Sequence, residues 1–177
     1  MRLSKSRPVI AFWLMPAKEE RELFCEIIGI LAKQFKAPVF QPHLTLFWTR
    51  GNAPSAGRIL KQIKAAPFHL SIRDVRSSPK FSKTIFVRFR KNAALSELVG
   101  GMQRASGARR AGIEEPHLSL CYGELPARSR EQLAAVIRLP LKRVLFDSVK
   151  AVRCALPTRT TDDVKAWRAV ARKKLIG

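Results

Sequence analysis

Acidic residues are scarce in this sequence and unevenly placed. Only 13 of the 177 residues are Asp or Glu, against 34 Lys and Arg, so the formal net charge is +21. No acidic residue occurs from position 27 to position 73. This excess of positive charge raises the local concentration of polyanions and favours nucleic acids or nucleotides over neutral ligands. A proteome-wide bias toward Arg and Ala explains the charge equally well, so composition alone identifies no ligand.

Cysteines and long apolar segments are also few. The odd number of cysteines, without metal-ligand spacing, excludes a fully paired disulfide framework and predicts reduced thiols at Cys25, Cys121 and Cys154. No run reaches the length of a membrane span. A short apolar stretch at 8–17 contains Pro16 and leads into charged residues, so it predicts a first strand rather than a signal peptide. We therefore expect a cytoplasmic monomer without membrane association.

Only three histidines are present, and two of them begin nearly identical pentapeptides. Residues 42–46 read Pro-His-Leu-Thr-Leu, and residues 116–120 read Pro-His-Leu-Ser-Leu. Successive side chains of a strand point to opposite faces. In each copy the histidine and the hydroxyl residue therefore share one face, while both leucines point into a core.

The two copies supply matched groups for proton transfer and hydrogen bonding. His43 with Thr45 and His117 with Ser119 could surround one anionic centre, with the histidines as acid and base and the hydroxyls as donors. Since no carboxylate or cysteine cluster is available to hold a metal, we predict phosphodiester hydrolysis without metal or other cofactor. His69 begins a looser match without the preceding Pro, and we interpret it as an ordinary strand residue.

Both motifs resemble the H-x-[T/S]-x signatures of the 2H phosphoesterase superfamily, and the chain is most similar to its plant and yeast cyclic phosphodiesterase branch. The resemblance extends to residues 11–16, a strand with a Trp that ends in Pro, to Tyr122, and to the closing segment at 160–167. Two features depart from that branch. Cys121 stands where an aliphatic residue is usual, and the chain is far more basic.

The resemblance implies metal-independent hydrolysis of a 2′,3′-cyclic phosphodiester, or of ADP-ribose 1″,2″-cyclic phosphate, to a phosphomonoester that is characteristically the 2′-phosphate. One histidine would take a proton from water and the other would give one to the departing oxygen. The sequence does not assign these roles to His43 and His117. An RNA-end 2′,3′-cyclic phosphodiesterase, similar to the 2′-5′ RNA ligases, and a non-catalytic RNA-binding module are the alternatives.

Five further residues are candidates for substrate contact. Trp13, Phe81 and Tyr122 match positions that the resemblance assigns to base or ribose contacts, although core packing explains Trp13 and Phe81 equally well. Strand parity places Tyr122 off the catalytic face unless the strand ends or bends there. Arg109 and Arg110, in a small basic loop before the second motif, could clamp a distal phosphate or lie in solvent.

Apolar periodicity predicts alternating strands and helices in one domain spanning residues 1–177. Strands are predicted at 9–14, 43–48, 68–75, 84–89, 142–146 and 149–156, and helices at 18–35, 54–64, 93–104 and 126–137. Residues 166–175 are ambiguous, and the resemblance favours a strand although Lys, Arg and Ala favour a helix. The expected fold is α+β with two lobes: pseudo-two-fold antiparallel sheets, outer helices and a cleft between the lobes.

Overall fold

The computed structural model describes residues 7–107 and 113–177, in which strands and helices alternate. The strands are β1 Arg7–Pro16, β2 Leu44–Thr49, β3 Phe68–Ser77, β4 Ile85–Phe89, β5 His117–Cys121, β6 Arg143–Leu156 and β7 Arg168–Lys174. The helices are α1 Lys18–Phe35, α2 Ala53–Lys61, α3 Ala93–Ser106, α4 Ala127–Val136 and α5 Thr161–Lys165. A short 3₁₀ turn, Phe81–Lys83, precedes β4. The predicted α+β class is confirmed.

The strands pair antiparallel and close into a ring. β1 pairs with β2 and β6, β2 with β5, β5 with β4, β4 with β3, and β3 returns to β6. β7 adds to β6 on the edge opposite β1. Two groups of strands result, β2-β1-β6-β7 and β5-β4-β3, and each carries one of the two motifs. The expected lobes therefore belong to one continuous sheet, which β6 and the β2–β5 pair hold together.

The long strand β6 corrects one prediction from the sequence. Strands were expected separately at 142–146 and 149–156, but the structure has a single strand across the polar pair Asp147 and Ser148. These two residues mark the place where β6 changes partners, because β3 pairs with residues 143–146 and β7 pairs with the residues that follow. The polar pair therefore signals a change of neighbour rather than a break in the strand.

Helix α1 covers the sheet beside the motif strands. Its buried side chains Phe24, Ile28 and Leu31 recur at spacings of four and three residues and form one apolar stripe. The helix packs against β1 and β5 and ends where Lys36 takes a left-handed conformation with a φ of 53°. Burial of each large aliphatic side chain stabilises such a contact by about 1.5–3 kcal/mol. Packing in the core, rather than helix propensity, therefore holds α1 against the sheet beside the motif strands.

The C-terminal residues form a strand, as the resemblance implied. β7 pairs with β6, and the short helix α5 precedes it, capped by Thr160, whose hydroxyl accepts from the backbone N–H of Asp163. Sheet pairing thus overrides the helical preference of Lys, Arg and Ala. Within the part of the chain that the structure describes, every helix is too short or too polar to cross a membrane.

Candidate active site

The two motifs meet where β2 pairs with β5. Leu44 and Leu118 are direct partners across the two strands, and both side chains are fully buried in the core. Each leucine follows its motif histidine in the chain. The pairing therefore brings His43, just before β2, and His117, at the start of β5, to the same junction.

Each histidine makes a hydrogen bond to the backbone carbonyl two residues before it. The Nδ1 atom of His43 lies 2.6 Å from the carbonyl oxygen of Gln41, and that of His117 lies 3.0 Å from the carbonyl oxygen of Glu115. A carbonyl oxygen only accepts, so Nδ1 donates in each case. When the ring is neutral, Nε2 is then the basic nitrogen. The geometry fixes both imidazoles in one tautomer, with equivalent orientations in the two halves.

A cavity of about 140 Å³ lies at this junction. It is lined by Ala11, Trp13, His43, Thr45, Ser82, His117, Ser119, Tyr122, Cys154, Leu156, Thr158 and Trp167. All four residues of the predicted catalytic set are therefore at one cavity. A larger cavity, of about 720 Å³, lies between α2 and α3, but the described residues that line it include no histidine, serine or threonine. Chemistry rather than size distinguishes the smaller cavity.

The two hydroxyl residues differ in their surroundings. Thr45 is exposed at the cavity, whereas Ser119 is buried and its Oγ donates to the carbonyl oxygen of Ser82 at 2.9 Å. A ligand oxygen in the cavity would have to compete with the Ser82 carbonyl for the Ser119 proton. Of these two residues, Thr45 is the more exposed.

Aromatic rings form one wall of the cavity. The indole of Trp13 stacks on His43 with ring centroids 3.7 Å apart and planes 13° apart. Trp167 meets both rings edge-on, with its centroid 4.9 Å from that of Trp13 and 5.7 Å from that of His43. This packing fixes the plane of the His43 imidazole.

The other predicted substrate contacts divide between the cavity and its surroundings. Tyr122 reaches the cavity because β5 ends at Cys121, which releases Tyr122 from strand parity. Phe81 does not line the cavity, because the 3₁₀ turn places its ring behind Tyr122 with centroids 6.1 Å apart. Arg109 and Arg110 lie outside the described residues.

Some cavity residues were not predicted from the sequence. Trp167 belongs to the closing segment that resembled the cyclic phosphodiesterase branch, and this was the available signal for it. Cys154 lines the cavity, whereas Cys121, which shares strand parity with His117, lies in the core. Ser82 lines the cavity because it lies in the 3₁₀ turn before β4. No sequence motif marks it as a cavity residue.

Burial lowers the pKa of both histidines. For His43 it is the main cause of a pKa of about 4, which the Gln41 carbonyl opposes and the charges of His117 and Lys150 lower further. For His117 burial again lowers the pKa, opposed by the Glu115 hydrogen bond and reinforced by Lys83. Positive charge on Lys150 and Lys83 thus acts on the two histidines from the two lobes, although neither lysine lines the cavity.

A network of charged side chains holds the segment before His117. Glu115 accepts from Lys83 at 2.6 Å and from Arg88 at 2.8 Å, and Arg88 also binds Asp74 at 2.6 Å. Hydrogen bonds from Arg88 and then from Lys83 hold the pKa of Glu115 at about 2. The ion pairs fix the side chain of Glu115, and its backbone carbonyl separately accepts from Nδ1 of His117.

His69 is exposed on β3, opposite Leu145 of β6, and does not line the cavity. Its backbone carbonyl accepts from the side chain of Asn92, which caps α3. Across residues 7–107 and 113–177, no group of three or more His, Cys, Asp or Glu side chains has an arrangement that could hold a metal ion.

Comparison with known proteins identifies the fold. No protein-family model matches the chain, and the search of curated proteins finds no match. Among solved structures, the chain and LigT of E. coli in apo form superpose with a TM-score of 0.63 at 19% sequence identity, covering 98% of this chain and 100% of LigT. The chain therefore has the fold of LigT.

Two further structures support the same conclusion about the fold. E. coli LigT complexed with 3′-AMP matches with a TM-score of 0.59 at 19% identity and the same coverage. A structure described as a phosphoesterase matches with a TM-score of 0.59 at 15% identity, covering 97% of this chain and 100% of that one. The likeness extends over both lobes and both motif strands.

Proposed function

We propose that this chain hydrolyses a 2′,3′-cyclic phosphodiester to a phosphomonoester by two-histidine acid and base catalysis. The observation that carries the proposal is the equivalent setting of His43 and His117. Each holds Nδ1 on the carbonyl two residues upstream, and both line one cavity with Thr45 and Ser119. The LigT fold supports the proposal, and LigT itself is found complexed with a nucleotide, 3′-AMP.

The proposed reaction needs one neutral and one protonated histidine. Nε2 of the neutral ring accepts a proton from water, which attacks phosphorus opposite the departing ribose oxygen, and the protonated ring gives its proton to that oxygen. An anionic phosphodiester in the cavity raises both histidine pKa values, because opposite charge favours the protonated form. The bound phosphodiester thus favours the protonated form that burial disfavours.

We assign the base to His43 and the acid to His117. His43 is only 6% exposed and lies in an aromatic wall, so burial strongly disfavours its protonated form, whereas His117 is less buried and is protonated more readily. An activated 4-nitrophenyl phosphodiester tests the assignment, because a good leaving group needs no proton. With it His117→Ala should keep far more of its activity than with a cyclic nucleotide, and His43→Ala should lose activity on both. The opposite pattern would reverse the roles.

The hydroxyls are proposed to bind the non-bridging phosphate oxygens. Transition-state charge develops on these oxygens, where a fixed donor contributes most. Thr45 offers its hydroxyl from the exposed side, and Ser119 would turn from the Ser82 carbonyl toward the phosphate. By resemblance to the cyclic phosphodiesterase branch, the product is the 2′-phosphate.

Turnover of a cyclic mononucleotide tests the proposal directly. The assay compares a nucleoside 2′,3′-cyclic phosphate with an oligoribonucleotide bearing the same end, and identifies the phosphomonoester product by ³¹P NMR. Hydrolysis of either substrate supports the enzyme. Binding of the oligomer without hydrolysis of either would instead identify a non-catalytic RNA-binding module.

An RNA end is the second candidate substrate. The net charge of +21 favours it, because a polyanion gains more from such a surface than a single nucleotide does. A larger kcat/KM for the oligomer than for the mononucleotide would identify an RNA-end phosphodiesterase. Equal values would favour the small cyclic phosphodiesterase.

A further inference from the structure

Trp48 is a large aromatic side chain that the fold leaves in solvent. It is 51% exposed, and within the part of the chain that the structure describes no other Phe, Tyr or Trp is exposed. The other exposed large hydrophobic residues are aliphatic: Ile30, Val39, Val136 and Ile176. A single exposed apolar side chain is common on protein surfaces and indicates nothing by itself. Trp48 differs from the others because it lies beside the proposed catalytic cavity.

A β-bulge turns Trp48 toward the cavity side of the sheet. Strict alternation after Thr45 would place Phe47 on the cavity face and Trp48 in the core. In the structure Thr45 is opposite Trp13 of β1. Phe47 is opposite the adjacent residue, Phe12, and the two rings stack in the core with centroids 4.9 Å apart. The extra residue of β2 forms a bulge, a feature that redirects side chains beside active sites.

Trp48 is a neighbour of the catalytic cavity across the sheet. Its partner on β1 is Ala11, which lines the cavity. Directly opposed residues of antiparallel strands have Cβ atoms about 5 Å apart, and Ala11 has only a methyl group to separate the indole from the cavity. This pair lies two residues along β1 from Trp13 and its partner Thr45, a distance of about 7 Å. A ligand that extends this far beyond Thr45 therefore reaches the indole.

The segment around Trp48 also attracts polyanions. Arg50 directly follows β2 and is exposed, and no acidic residue occurs from position 27 to position 73. Among the described residues, no ion pair links Arg50 to an Asp or Glu. Proteins bind single-stranded nucleic acid with exposed aromatic rings among positive side chains, because the rings stack on bases and the cations follow the backbone. Trp48 and its surroundings have this composition.

We propose that Trp48 stacks on the base of the nucleotide that precedes a terminal 2′,3′-cyclic phosphate in an RNA chain. The inference rests on the proposed function and names the residue that distinguishes a ribonucleotide chain from a free cyclic mononucleotide. The cyclic phosphate lies between His43 and His117, and the preceding nucleotide extends over Ala11 onto the indole. Every base has a π face, so the contact favours a base at this place without selecting which one.

Three variants separate stacking from apolar bulk. Trp48→Leu keeps an apolar side chain but removes the aromatic face, whereas Trp48→Phe keeps a smaller aromatic face. Both leave the core contact of β2 in place, because Phe47 makes it. Val136→Ala is the control for loss of exposed apolar surface, since Val136 is 68% exposed on α4, which packs against β3 and β4.

The first experiment measures binding and needs no turnover. One ligand is a diribonucleotide that ends in a 2′-phosphate, and the other is identical except that its first nucleotide lacks the base. The wild-type chain should bind the complete ligand about tenfold more tightly, as expected for one stacked base. Trp48→Leu should bind both ligands equally, Trp48→Phe should keep part of the preference, and Val136→Ala should keep all of it. Equal affinities in the wild type, or an undiminished preference in Trp48→Leu, would overturn the proposal.

The second experiment separates the stacking site from the proposed function. It compares kcat/KM for a nucleoside 2′,3′-cyclic phosphate with the values for complete and abasic dinucleotides that bear the same cyclic end. Trp48→Leu should reduce the value for the complete dinucleotide about tenfold more than the value for the mononucleotide. A base preference in binding without turnover of any substrate supports the stacking site and contradicts the enzyme. Equal turnover of the complete and abasic dinucleotides contradicts the stacking site alone.

Discussion

The two motif histidines share a tautomer but differ in their surroundings. His43 lies flat against Trp13 in a closed aromatic wall, whereas His117 is half-buried beside the Lys83–Glu115 ion pair and meets Phe86 edge-on. The repeated pentapeptide predicts that each histidine shares a strand face with a hydroxyl residue, but it does not predict the common tautomer. It could not predict the difference, because the neighbours of each ring come from distant parts of the chain.

Removal of either motif histidine should abolish most activity. His43→Ala and His117→Ala should each reduce hydrolysis of a cyclic nucleotide by about 10² to 10⁴-fold, because each removes one proton-transfer group. His69→Ala is the matched control and should stay within a few-fold, since His69 is exposed on β3. The measurement is kcat/KM with folding checked by circular dichroism. Loss of activity in folded His69→Ala would contradict the choice of pair.

Acidification should destabilise the fold through His43. The pKa of His43 is about 4 in the folded chain and 6.5 in the unfolded chain. Between these two pH values, His43 is therefore protonated in the unfolded chain and neutral in the folded chain. Stability should therefore fall as the pH falls from 6.5 toward 4, by on the order of 3 kcal/mol from this residue. Urea unfolding from pH 7 to 5 measures it before the carboxylates titrate. His43→Gln should show a shallower dependence, and an unchanged slope would contradict the burial argument.

At the scale of elements, the short β2–β5 pair positions the site. Leu44 and Leu118 join the lobes there, and their burial follows from the strand alternation that the motifs predicted. The change of partners along β6 was not predictable, since a local pattern does not report which strand lies alongside. The position of Tyr122 at the cavity was likewise not predictable from local sequence. It depends on where β5 ends, and tertiary contacts rather than strand propensity determine that end.

Truncation at this junction should affect both stability and activity. Leu44→Ala and Leu118→Ala should each destabilise the chain by about 2–5 kcal/mol, the usual cost of a buried Leu to Ala change. Both should also lower kcat/KM under folding conditions, because the histidines lose their relative positions. Leu70→Ala, equally buried but on β3, is the control and should reduce stability without a matching loss of activity. Equal activity losses in all three would show that the junction has no special role.

At the scale of the whole molecule, the basic surface should act on long substrates. Binding of an oligoribonucleotide should weaken steeply with rising salt as counterion release loses its advantage, whereas turnover of a cyclic mononucleotide should respond far less. Arg109→Ala with Arg110→Ala should likewise lower kcat/KM for the oligomer more than for the mononucleotide. Titrations at several salt concentrations measure both. The same salt slope for both substrates would mean that the charge does not select chain length.

Hydrolysis should also survive a strong chelator. The proposed steps use only imidazole and hydroxyl groups, so dialysis against EDTA should leave kcat within about twofold, whereas loss of a catalytic metal normally costs far more. The control is readdition of Mg²⁺, Mn²⁺ and Zn²⁺ in turn. Activity that disappears with EDTA and returns with one of these ions would contradict the mechanism.

The hydrogen bonds from the two imidazoles to backbone carbonyls can be kept when the residues that supply those carbonyls are substituted. Because the partner of each Nδ1 is a peptide oxygen, the chemical identity of positions 41 and 115 is not what selects the tautomer. Side-chain scanning would overlook both of these partners. They would become visible only to chemistry that edits the main chain itself, such as replacement of the carbonyl oxygen by sulfur in a thioamide, and they can persist in homologues whose side chains at these positions have nothing in common.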